Sequence, residues 1–78
     1  MNSKKVESVV LDIFSTILKR NVDIRDSRIT LSQWDSLKHI EIIFAIEDEL
    51  NIQFEEEEIE QLDDIEKIIK IASVKYAS

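Results

Sequence analysis

Few side chains in this 78-residue sequence can do chemistry, and the shortage narrows the field. Cysteine is absent, which removes disulfides, thiolate zinc sites and a thiol nucleophile. The one histidine, His39, has no second ligand at a metal-binding spacing. Glycine and proline are both absent, so no glycine-rich phosphate loop can form. The run Glu55–Glu58 lacks the glycine and alternating ligands of a calcium loop, so no metal site is expected. That leaves Ser36, in the step Asp35-Ser36-Leu37, where a long connection becomes a helix. As a nucleophile it would need a base and an oxyanion hole. His39 lies three residues on along the same helix and no glycine-rich loop exists, which argues against a hydrolase and for no catalytic residue at all.

The elements around this step follow from apolar spacing. Val6, Val9, Val10, Ile13, Phe14 and Ile17 predict a first helix over residues 4–18, with Asn2 or Ser3 as cap and Glu7 near its positive end. Lys19 and Arg20 close it. Residues 20–35 form a long connection, with Val22, Ile24, Ile29, Leu31 and Trp34 expected to pin it to the rest. A second helix runs from Asp35-Ser36 to Leu50, with Asp35 a good N-cap, and a short third covers 56–61. The last begins after Asp63, which with Glu66 resembles a capping box; Ile65, Ile68, Ile69, Ala72 and Tyr76 form its core stripe. The chain thus reads as one all-α domain over residues 1–78, a four-helix bundle with three longer helices and a short third one.

The second helix has two apolar faces. At about 100° per residue, Ile42, Ile43, Ile46 and Leu50 gather on one side. Leu37, Ile40 and Phe44 gather on the other, fenced by Glu41 and Asp48 on one edge and Glu47 on the opposite edge. His39 falls towards the core side. A small bundle has few neighbours to cover every side, and an apolar centre with a charged rim is how transient interfaces are built. Charge is localised too. Residues 36–64 hold eleven acids and one base, Lys38, within a chain of net charge −7. Such a field steers basic partners and disfavours nucleic acid. The longest apolar run, Ile42–Ile46, is far too short to span a membrane, and nothing near Met1 resembles an export signal, so a cytoplasmic monomer is expected.

The segment from Trp34 through Asp35-Ser36-Leu37 to Leu50, with Asn51-Ile52-Gln53-Phe54 and the acids Glu55–Glu58 after it, resembles the acyl carrier protein family. Helix order, length and acidity agree with it along essentially the whole chain. The resemblance implies that a phosphopantetheinyl transferase attaches 4′-phosphopantetheine, taken from coenzyme A, to the Ser36 hydroxyl. The arm's thiol would then carry acyl or aminoacyl groups as thioesters. Asp35, Leu37, Ile40, Glu41, Phe44, Glu47 and Asp48 would meet partners: the transferase, acyl-transferring or condensing enzymes, or an acyl or aminoacyl ligase with a basic docking patch. A helix N-terminus favours the added anion, and a mobile preceding loop would leave Ser36 accessible. The competing reading is an unmodified acidic helical module that docks basic partners without cargo. The family often has glycine or alanine where Trp34 stands, proline where Glu55 stands, and small or acidic residues at Lys38 and His39. Trp34 and the Lys38-His39 pair lean from primary fatty acid synthesis towards a specialised carrier.

Overall fold

The computed structural model describes residues 2–77, and the side chains from residue 5 on. Its elements in chain order are α1 (Asn2–Leu18), α2 (Ser36–Leu50), α3 (Glu56–Gln61) and α4 (Ile65–Ala77). No strand occurs among the described residues, only an isolated bridge between Ser27 and Asp64. α1 packs against both α2 and α4. Their shared core contains Val6, Val10 and Phe14 of α1, Ile42, Ile43 and Ile46 of α2, and Ile65, Ile68 and Ala72 of α4. The stripes expected from periodicity therefore face the core, with Val9, Ile13, Ile17 and Tyr76 half-buried at its margin.

Helix ends account for most departures from the sequence reading. α1 starts at Asn2, so Glu7 lies beyond its first turn. The expected Asn2 or Ser3 cap lies outside the described side chains. Lys19 and Asn51 carry positive φ, 56° and 55°, just past the ends of α1 and α2. A left-handed residue is how many helices stop, and without glycine the chain uses a lysine and an asparagine. At α4 the cap is Asp64 rather than Asp63: its Oδ1 accepts the Lys67 N–H at 2.7 Å. Asp63 instead takes the Lys67 ammonium at 2.9 Å, so the expected Asp63–Glu66 box does not form. At α3, found over the residues expected, the Glu55 N–H donates to Glu58 Oε1 at 2.7 Å and caps the helix.

The long connection between α1 and α2 is heavily bonded. Asp26 Oδ2 accepts the Asp23 N–H, Asp23 Oδ1 accepts the Arg25 N–H, and the Thr30 hydroxyl donates to Asp26 Oδ1. Two backbone bonds then strap the loop to the start of α4: Arg28 N–H to Asp63 O at 3.0 Å, and Ile65 N–H to Asp26 O at 3.1 Å. Leu31 and Trp34 are buried anchors, and Val22 and Ile24 are half-buried. Ile29, expected to be an anchor as well, is 94% exposed. It sits in the turn over residues 28–30, outside the strap, so its side chain faces away from the bundle.

Candidate functional site

Ser36 is the first residue of α2, and its side chain is exposed. Asp35 supplies the cap with extended backbone (φ −95°, ψ −177°), its Oδ1 accepting the Lys38 N–H at 2.8 Å. The His39 N–H donates to Asp35 O at 2.8 Å, closing the first helical turn. The Ser36 and Leu37 amides thus belong to the turn that has no intrahelical acceptor. The Ser36 hydroxyl sits beside them and faces solvent. Access to it comes from this terminal position. The mobile loop expected from sequence is instead a strapped one.

Among the described residues, no side chain is hydrogen-bonded to the Ser36 hydroxyl. His39, the one imidazole in the chain, is buried with both ring nitrogens engaged. The Trp34 indole N–H donates to its Nδ1 at 2.9 Å, and its Nε2 lies 2.7 Å from the Ile59 carbonyl. Nor do the described residues include a cluster of three or more potential metal ligands. The geometry therefore offers a reachable hydroxyl at a helix N-terminus.

From Ser36 an apolar stripe descends the outer face of α2. Leu37 is 71%, Ile40 41% and Phe44 59% exposed. Glu41 and Asp48 are exposed along one edge, with the Lys38 ammonium 3.9 Å from Glu41. Glu47, on the other edge, is half-buried, and its Oε2 accepts the Phe54 N–H at 2.8 Å. The sequence placed Leu37, Ile40, Glu41, Phe44, Glu47 and Asp48, all six, on this face. It could not show that Glu47 also holds the linker into α3.

α3 has no fully buried residue, so besides the half-buried Ile59 and the buried Phe54 and Leu62 on either side of it, its position depends on a few polar ties. One is the Ile59 carbonyl on His39. Another is the Lys75 ammonium, 2.8 Å from Glu58 Oε1, which together with the Glu55 N–H holds the Glu58 carboxyl below its ordinary range. The same ammonium lies 5.8 Å from the centre of the buried Phe54 ring. Both ties join residues far apart in sequence, so no local pattern announces them.

A family model described as a phosphopantetheine attachment site matches residues 8–71, a segment that includes Ser36 and the whole α2 stripe. No curated protein matches the chain. None of the described helices is long and apolar enough to cross a membrane.

Proposed function

Because the chain belongs to the phosphopantetheine attachment site family, we propose that it is a carrier protein whose Ser36 bears 4′-phosphopantetheine and whose α2 stripe presents the load to partner enzymes. The observation that carries this reading is the placement of Ser36: exposed, at the first position of α2, within the matched segment. The group would supply the thiol that the sequence lacks, and with it a point of attachment for acyl or aminoacyl cargo.

The residues present fit such a group. Ser36 offers an unhindered oxygen for a phosphodiester. The first-turn amides and the helix dipole favour an anion there by about 0.3–1 kcal/mol. Asp35 is occupied by the Lys38 N–H, which orients its carboxylate along the helix turn. Leu37, Ile40 and Phe44 supply the apolar centre of a small docking patch, and Glu41 and Asp48 its acidic rim. A patch this small suits brief encounters, which handover between enzymes requires. On this reading the bond-making falls to the partners. Trp34 and His39, two departures from the usual family pattern, form one buried pair. They count as a single packing solution; of the other departures, Glu55 and Lys38, it is Lys38 that lies beside the α2 stripe and bears on the choice of partner. A specialised acyl or aminoacyl pathway is the reading we favour on that ground.

Incubation with coenzyme A, magnesium and a broad-specificity phosphopantetheinyl transferase should add one phosphopantetheinyl mass, located to Ser36 by fragmentation. Ser36→Ala should take none while keeping its helicity. An adduct on Ser36→Ala would refute the assignment. No adduct on folded wild-type protein would favour an unmodified acidic docking module.

A further inference from the structure

We propose that His39 is a positioning residue for Ser36, an inference that rests on the reading of Ser36 as the attachment point. His39 and Trp34 are the only histidine and the only tryptophan in the chain, and they are bonded to each other in the core. The indole N–H can only donate, so His39 Nδ1 must accept. The Ile59 carbonyl can only accept, so Nε2 must carry the hydrogen. The two partners together fix a neutral imidazole in the Nε2–H tautomer. The ring planes lie 25° apart, with centroids 5.8 Å apart.

Residue 39 holds the helix start twice, through its ring to Trp34 and through its backbone to Asp35. Trp34 stands two residues before Ser36, and its ring is held edge-on by Phe14 of α1, with centroids 4.7 Å apart and planes at 74°. The His39 N–H holds the intervening Asp35 carbonyl. The path of residues 34–36 is therefore set at two points by one residue that lies three positions further on and never reaches the surface site. Through Ile59 the same ring fixes α3, which has no fully buried residue of its own. An aliphatic side chain at this position would fill the volume and join neither neighbour. Orientation of a reacting hydroxyl acts on the catalytic step, whereas the α2 stripe acts on encounter. His39 should thus govern kcat of loading with little effect on KM.

The test uses the full chain and transferase loading followed by intact mass, with wild type and Ser36→Ala as references. His39→Leu removes both side-chain bonds. Trp34→Phe removes the donor and keeps an aromatic ring against Phe14. His39→Gln restores an acceptor and a donor. Well below the melting temperature, His39→Leu and Trp34→Phe should lose at least about fivefold in kcat with KM nearly unchanged, and His39→Gln should recover most of the loss. Nitrogen-15 spectra of His39 should show the Nε2–H tautomer. Wild-type kcat in His39→Leu, even with a lower melting temperature, would reduce His39 to a packing role and overturn the proposal. If His39→Leu does not fold, Trp34→Phe with wild-type kcat does the same, as does an Nδ1–H tautomer. A wild-type chain that takes no load at all overturns the attachment reading instead, while the tautomer measurement still tests the geometry.

Discussion

Replacing Phe44 by alanine separates docking from folding, because its ring is divided between the two. It is 59% exposed. An aromatic side chain presents about 200 Å², so about 120 Å² is available to a partner and about 80 Å² is spent inside the bundle. At about 25 cal/mol per Å², full coverage by a partner is worth about 3 kcal/mol and half coverage about 1.5 kcal/mol. The loss in partner affinity should therefore fall between about tenfold and hundredfold. The folding loss is about 2 kcal/mol from area, offset by about 0.5 kcal/mol because alanine is the better helix former. At this chain length that is a melting temperature lower by about 6–12 °C, which a domain of ordinary stability survives. Ile43, fully buried on the other face of α2, provides the contrast. Its alanine variant should lose about 2–5 kcal/mol of stability. KM for the transferase and thermal melting by circular dichroism, measured on both variants, read the two effects. Unchanged KM in folded Phe44→Ala would refute the docking stripe. So would equal KM changes in the two variants at equal folded fraction.

Three further outcomes follow from other contacts. Glu41→Lys should weaken transferase binding, with the difference from wild type shrinking as salt rises; binding that is insensitive to both would contradict a charged rim. Glu58 is held below its ordinary value of 4.5 chiefly by Lys75, so its contribution to stability is complete above that value and is lost as pH falls through the lower folded one. Melting curves of wild type and Glu58→Gln should therefore converge in acid, and parallel curves would show the bridge to be inert. Asp64→Ala should remove about 1 kcal/mol with the α4 cap, lowering the melting temperature by about 4–8 °C, while Asp63→Ala should change it little. The reverse order would restore Asp63 as the cap.

The faces of the helices were legible in the sequence because helical geometry converts spacing directly into direction. The division of α2 into Ile42, Ile43, Ile46 and Leu50 within and Leu37, Ile40 and Phe44 without needed nothing further. The Asp35 cap and the bounds of α3 were legible for a similar local reason. The α4 cap was not, because Asp63 and Asp64 are chemically alike and the choice between them depends on the chain's path. The bonds from Asp26 and Arg28 fix that path, and they come from more than thirty residues away. Ile29 failed as an anchor on the same ground: apolar character says that a side chain can be buried, and the turn decides whether it is. At the site, Ser36 and its stripe could be found from the pattern, but not the partners of His39. Its place on the core side followed from the wheel, while the Trp34 and Ile59 contacts needed the folded loop and α3.

The strap between the α1–α2 loop and the head of α4 also bears on the order of events during synthesis. A chain on the ribosome emerges from its N-terminus, and at about 5–20 residues per second the loop and α2 are made seconds before Ile65. Until then Arg28 has no Asp63 carbonyl to meet, and Asp26 has no Ile65 amide. Nor does the Ile59 carbonyl exist for His39 to hold. The surroundings of Ser36, encoded near the middle of the chain, are completed only by its last third. An unfinished chain therefore displays the serine without the frame that surrounds it in the folded molecule.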